Sequence, residues 1–345
     1  MSFVRSIGTF GLTALIVNSI IGSGIFGIPS ELIAVVGRAS PIAMILAGLI
    51  AAIIMACFIE VASQFAEPGG AYLYTRTAFG HFAGTQAGWF LWACFLVSGA
   101  ANANLFIIYL SGMLPWAGTP LGRTLVMIAI ITVPAFANYV GVKSGSRLSA
   151  VFCVAKLLPL VVLITMGMFR FGQHATALPA SEISQPGISG WLTALMMLAF
   201  SYAGYEFALT PGGEVVNPRR TVPVAMAAAF AIVIVTYTSI QFVTVATLGT
   251  ALTTRPLADV ASLLIGPGGA IFIAIAAMFS TYGFISATVL AAPRLMYSLA
   301  ERRETFSGSS PPSIRAFALH TSRLLSSARC WWFCPSPAAI AGPSR

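Results

Sequence analysis

Eight long apolar stretches, at residues 8–36, 41–65, 85–114, 121–141, 148–171, 189–211, 222–249 and 269–300, decide the solvent this chain is built for. Each matches or exceeds the roughly 20 residues that a helix needs to cross the hydrocarbon core of a bilayer. With 58% hydrophobic and 8% charged residues and a mean hydropathy of +0.90, the chain reads as an all-α, polytopic membrane protein of about eight transmembrane helices, and the composition excludes a soluble fold. The net charge of +9 is carried by Lys and Arg between the apolar runs, with no basic helix or tract, so the expected partner is the lipid bilayer and not nucleic acid. Arg5, Arg76, Lys143, Arg147, Arg219, Arg220, Arg294, Arg302 and Arg303 fall on one side of the alternating loops. Only Arg38, Arg123, Arg170 and Arg255 fall on the other. That asymmetry predicts a cytoplasmic N-terminus, and an even number of spans returns the C-terminal end to the same side. Nothing before the first span resembles a removable signal peptide.

The first span is interrupted at Ile20-Ile21-Gly22-Ser23-Gly24-Ile25-Phe26-Gly27. Four weak helix formers within six residues, at a depth where unpaired backbone is costly, predict a break whose outer half-helix points its N-terminus inward. Such an end favours a carboxylate. The same glycines also suit a small-residue packing face between helices, and on this stretch alone both readings stay open. In the sixth span, Phe200-Ser201-Tyr202-Ala203-Gly204-Tyr205-Glu206 mixes small and polar residues at mid-span and predicts a second break five spans after the first. Paired interruptions at that spacing point to an inverted-repeat transporter with its site at the midplane.

Ionisable residues in or beside the spans need individual accounts, because a charge near a helix centre costs about 3 kcal/mol even on a lenient scale. Glu31 and Glu60 fit interfacial positions, with Arg76 the expected partner for Glu60. Lys156 sits about two turns into the fifth span, and Glu206 lies beside the sixth-span break. Both are functional candidates. Cys57, Cys94 and Cys153 lie inside spans, and Cys330 and Cys334 have no histidine partner spaced for zinc, so neither a metal nor another cofactor is expected. Catalysis is not expected either. The spans carry no aspartate pair, Ser/His couple or H-E-x-x-H, and Asp259, His81, His174 and His320 all lie outside them.

These residues resemble the amino acid-polyamine-organocation permeases over roughly 8–303. The resemblance rests on Ile21-Gly22-Ser23-Gly24-Ile25-Phe26, Pro68-Gly69-Gly70-Ala71-Tyr72-Leu73-Tyr74, and Tyr202-Ala203-Gly204-Tyr205-Glu206 followed by Glu214, Asn217-Pro218-Arg219-Arg220 and Pro223. Arg294 and Tyr297-Ser298-Leu299-Ala300 extend it. It implies the leucine-transporter-type 5+5 inverted-repeat fold, with a first repeat over 8–171 and a partial second over 189–303. It also implies a secondary carrier of amino acids in the bacterial inner membrane, with polyamines or organic cations as the less favoured cargo. The substrate carboxylate would meet backbone N–H groups of Ser23 and Gly24, and the amino group the carbonyls of Ile20, Phe200 and Ala203. Cys94, Phe95, Ser98 and Tyr282 are looser side-chain pocket candidates beside Phe200. Lys156 matches a lysine that replaces sodium in sodium-independent members, and Glu206 an acid linked to proton-sensitive gating. Ser280 and Thr281 are the alternative sodium ligands, which a neighbouring ammonium would oppose.

Beyond Arg303 the resemblance ends. The segment 304–345 is rich in Ser, Arg and Pro, places Trp331-Trp332 between two cysteines, and holds no stretch able to span a bilayer. The family's ninth and tenth helices are not recognisable, so the expectation is an incomplete second repeat followed by a disordered cytoplasmic tail. The favoured expectation is a frameshift or truncation of a longer permease, the alternative a natural disordered terminus on a shortened member, and a working carrier and a non-transporting fragment are both compatible with what remains.

Overall fold

The computed structural model describes residues 7–65, 70–140, 145–173, 186–208, 215–249 and 251–301. The tail, Lys143, Glu214 and the Glu67-Pro68-Gly69 turn lie outside the described residues. Among the described residues the regular elements are helices, and the one β pairing is an isolated parallel bridge between Ile7 and Val215. In order the helices are α1 (Thr9–Ile20), α2 (Gly24–Val36), α3 (Ser40–Gln64), α4 (Gly70–Ser111), α5 (Pro120–Val140), α6 (Gly145–Gln173), α7 (Ile188–Tyr202), α8 (Tyr205–Ala208), α9 (Pro218–Leu248), α10 (Pro256–Ile265) and α11 (Pro267–Glu301). Prolines open α5, α9, α10 and α11, where a missing N–H costs no hydrogen bond. Gly37, Gly249 and Gly266 end α2, α9 and α10 with positive φ, which a side chain would resist.

Among the described residues five stretches are long and apolar enough to cross a bilayer: Gly24–Gln64, Gly70–Ser111, Phe152–Arg170, Pro218–Leu248 and Pro267–Val289. The rest of the expected spans appear as shorter apolar helices, Thr9–Ile20, Pro120–Phe136 and Ile188–Tyr202. Two of those are short because the chain breaks where the glycines predict. Large apolar side chains face outward, among them Ile53, Phe90, Leu121 and Met196, as they should where the surroundings are hydrocarbon.

Two features depart from the span list. The stretch 70–79, expected as a turn and loop, is helical and joined to the third span through non-helical Gly80 at φ 83°. The two pieces fold against each other, so that a methyl group on Gly84 would meet the Arg76 Cβ at 2.6 Å. The loop between the last two spans forms α10, whose buried Leu257, Ala258, Val260 and Ala261 join the main apolar core. That core is built from α1, α2, α3, α6, α7, α9, α10 and α11, joined by Leu105 and Tyr109 of α4 and Tyr205 of α8. Separate clusters knit α4 and α5 to α11 through Ala103, Ile107, Val126, Ile130 and Ile285, and α4 to α11 through Tyr72, Leu91, Phe95 and Leu295.

Candidate functional site

The first break is three residues of non-helical chain, Ile21 to Ser23. Ile21 closes α1 by donating its N–H to the Val17 carbonyl (2.9 Å), then turns extended at ψ 91°. The ladder of α2 restarts with Gly27 donating to the Ser23 carbonyl (3.0 Å), which leaves the Gly24 and Ile25 N–H groups ahead of the first intrahelical bond. Ser23 is buried and its Oγ has no hydrogen-bond partner among the described residues. The peptide dipoles of α2 add partial positive charge at this end.

The second break is Ala203–Gly204, with Gly204 at φ 112°. In a continuous helix the Gly204 N–H would bond the Phe200 carbonyl. Here it donates to Glu206 Oε2 (2.9 Å), so Phe200 keeps its place in the last turn of α7 but loses its ladder donor. The carbonyls of Phe200 and Ala203 therefore lie at a helix C-terminus, the negative end of its dipole.

The two breaks touch. A methyl group on Gly24 would lie 2.8 Å from Ser201 Oγ and 3.2 Å from its Cα, and one on Gly204 would lie 2.5 Å from the Ser19 carbonyl oxygen. Only glycine lets the two backbones approach this closely, so helix interruption and close packing, the two open readings of the first-span glycines, are both present. Tyr237, fully buried on α9, donates its hydroxyl to the Ile20 carbonyl (3.2 Å) and fixes the end of α1.

Lys156 is fully buried on α6. Its ammonium donates to the carbonyls of Asn18 (3.1 Å) and Ile21 (2.6 Å), the two oxygens that the end of α1 exposes toward α6. Ser280, buried on α11, donates to the same Ile21 carbonyl (3.2 Å), so a cation and a hydroxyl converge on one oxygen between α1 and α11. Thr281 Oγ1 bonds within its own helix, to Ala277 O (2.8 Å). A desolvated ammonium needs such acceptors, because a buried charge is tolerated only when hydrogen bonded.

The side-chain candidates spread more widely. Cys94 is exposed on α4, while Phe95 is buried in the cluster with Tyr72, Leu91 and Leu295. Tyr282 packs toward α4 and α5. On α11, Ser280 and Phe284 face the break, and 282 lies between them on a different face of the helix. Ser98 is half-buried, and its carbonyl accepts from Asn102 Nδ2 (2.8 Å). Phe200 shows 40% of its side chain. Neutral polar residues outside the sequence expectations are also buried around the breaks: Asn18, Asn102 and Tyr237. Their signal was an amide or hydroxyl inside an apolar run. Among the described residues no three His, Cys, Asp or Glu side chains gather as metal ligands.

Two interrupted helices that meet inside a helical bundle are a feature of the leucine-transporter-type fold. The solved structure of MhsT in complex with L-phenylalanine matches this fold at a TM-score of 0.52 and 14% identity, over 96% of this chain and 81% of that one. The family model for amino acid permeases matches residues 7–310, and the chain belongs to that family. It is 27% identical over 315 residues to the serine/threonine exchanger SteT of Bacillus subtilis (strain 168), covering 87% of this chain and 69% of SteT. It is 26% identical over 259 residues to a methylthioribose transporter of the same organism, covering 70% of this chain and 55% of that protein. The chain thus spans between about half and two thirds of the length of these relatives.

Proposed function

We propose that this chain binds an amino acid where the two breaks meet and carries it across the bilayer by exchange or with protons. The observation that carries this reading is the contact of the breaks, Gly24 on Ser201 and Gly204 on Ser19, which sets a helix N-terminus beside a helix C-terminus. An amino acid zwitterion matches that pair of ends: its carboxylate suits the Ser23 and Gly24 N–H groups, its ammonium the carbonyls of Ile20, Phe200 and Ala203. A relative named as a serine/threonine exchanger supports the substrate class. Cys94, Phe95, Ser98 and Tyr282 remain candidates for contacting the substrate side chain.

Lys156 is proposed as the fixed cation of the cycle, because its ammonium lies on the oxygens that a sodium ion between α1 and α11 would need. Glu206 is proposed as the titrating group, so Glu206→Gln should keep the bond to the Gly204 N–H while flattening the pH dependence of exchange. The permease domain is taken as 8–303 with the N-terminus in the cytoplasm of a bacterial cell, its charged loops held inside by the positive-inside bias.

The test is exchange by the purified full chain in proteoliposomes loaded with unlabelled serine, threonine or phenylalanine, with labelled amino acid outside. Uptake that depends on internal substrate is expected. Saturable binding in detergent without exchange would keep the site and discard the carrier. Neither binding nor exchange would overturn the reading.

A further inference from the structure

Asn102 lies on α4, one turn beyond Ser98, and is 2% exposed. Its amide orientation is fixed from within the helix, because Nδ2 donates to the Ser98 carbonyl (2.8 Å) and so turns Oδ1 away from that turn. Oδ1 faces the first break: a methyl group on Gly22 would sit 3.1 Å from it and 3.4 Å from the Phe284 ring. Among the described residues no group donates to this oxygen. A buried amide oxygen with no donor is an unfavourable arrangement that a folded core normally avoids. This one lies against Gly22 of the first break and arrives from α4, whereas Ser201 of α7 lies against Gly24 of the same break.

We propose that Asn102 is a specificity-determining residue whose Oδ1 accepts a hydrogen bond from a hydroxyl on the substrate side chain, so that the site selects hydroxylated amino acids over methyl isosteres. The inference rests on the proposed binding of an amino acid at the breaks. With the carboxylate on the Ser23 and Gly24 N–H groups and the ammonium on carbonyls of α1 and α7, the third substituent of Cα is left to turn toward α4. There it meets an acceptor set beside one aromatic ring. A threonine hydroxyl satisfies that acceptor. The methyl that replaces the hydroxyl in valine leaves it desolvated and unpaired, and sites built this way discriminate strongly against the analogue that lacks the donor. Gly22 belongs to the same arrangement, since any side chain there would cover Oδ1.

The experiment measures binding to the purified full chain in detergent, so it does not require a completed transport cycle. Threonine against valine, and serine against 2-aminobutyrate, are competed against a labelled amino acid for the wild type, Asn102→Leu and Asn102→Asp. The wild type should favour the hydroxylated member of each pair by about tenfold or more. Asn102→Leu should bring each ratio close to one by weakening threonine and serine while valine holds or gains. Asn102→Asp, which keeps an acceptor of the same shape, should retain the preference. Equal affinity of the wild type for both members of a pair overturns the proposal even if Asn102→Leu fails to fold. So does an Asn102→Leu variant that weakens threonine and valine alike, which is what a merely structural amide would give. A chain that binds no amino acid at all overturns the reading on which the proposal rests, a separable outcome.

Discussion

Lys156 is the residue on which the coupling argument turns. A fully buried ammonium held by the Asn18 and Ile21 carbonyls is a cation fixed by the fold, and Ser280 on the same Ile21 oxygen ties it to α11. Lys156→Met removes the charge while keeping much of the stem, and deleting a buried charge relieves its desolvation. The folded protein should therefore survive, with a thermal midpoint close to wild type, while exchange falls at least about tenfold because the link from α6 to the end of α1 is gone. Sodium-stimulated exchange by the wild type at fixed membrane potential would instead return the cation site to Ser280 and Thr281. Gly204 makes the opposite kind of case, because its backbone geometry rather than its chemistry is constrained. At φ 112°, with the Ser19 carbonyl oxygen 2.5 Å from where a methyl would stand, Gly204→Ala is strained twice over. A loss of about 3 kcal/mol or more is expected, read as a lower unfolding temperature and poor recovery of monodisperse protein. Both residues were legible in the sequence, one as a lone charge in a span and the other as a mid-span glycine. Asn18 and Asn102 were not, because neutral amides in apolar runs raise no cost until burial and missing partners are visible.

At the scale of elements, the sequence yielded the breaks and hid the short helices. Glycine clustering identified the gaps at 21–23 and 203–204 because helix propensity and the membrane's intolerance of loose backbone act locally. The helix α10 escaped notice because ten residues between longer runs look like a loop, although Pro256 at its first turn is an ordinary start signal. The 70–79 piece of α4 was hidden for a similar reason, since Gly80 interrupts its register with the third span. Neither sequence signal suggests what holds the base of α1. The structure pairs that base with the segment before α9: Val216 donates its N–H to the Ile7 carbonyl (3.0 Å), and Thr221 Oγ1 donates to the Val216 carbonyl (2.6 Å). Because the first contact is main-chain, ordinary side-chain replacement will not break it. Val216→Pro deletes the donor, and the expected result is faster hydrogen exchange across α1 with little change in α5 or α11. Unchanged protection of α1 would mean that the bridge does not anchor it.

The whole molecule divides along the arrangement of its apolar clusters. The main core gathers α1, α2, α3, α6, α7, α9 and α10 with Leu105 and Tyr109 of α4 and Ile273, Ala274 and Ala277 of α11, while smaller clusters bind the rest of α4, and α5, to the later turns of α11, against which Phe152 of α6 packs at Gly283. Separate cores can move as separate bodies, since packed interiors shift between discrete arrangements rather than deform. The breaks lie in the main core, and Asn102 and Phe284 reach them from the turns of α4 and α11 whose neighbours Ala103 and Ile285 belong to a smaller cluster. A substrate bound at the breaks would then lie on the seam, where a rocking motion of one group against the other exposes it to alternate sides. Locking the seam should stop that motion while the fold persists. Gly27 of α2 and Leu105 of α4 face each other where α4 enters the main core, a methyl group on Gly27 standing 3.3 Å from Leu105 Cδ1, near the point where the Tyr109 hydroxyl bonds the Phe26 carbonyl. Cysteines at positions 27 and 105 in a background stripped of native cysteines, joined by a short bifunctional thiol reagent with a reducible link, should abolish exchange in proteoliposomes. A reductant should restore it, and either single cysteine treated alike should remain active. Continued exchange with the cross-link fully formed would show that α2 and α4 move together, and the division into two bodies would have to be drawn elsewhere.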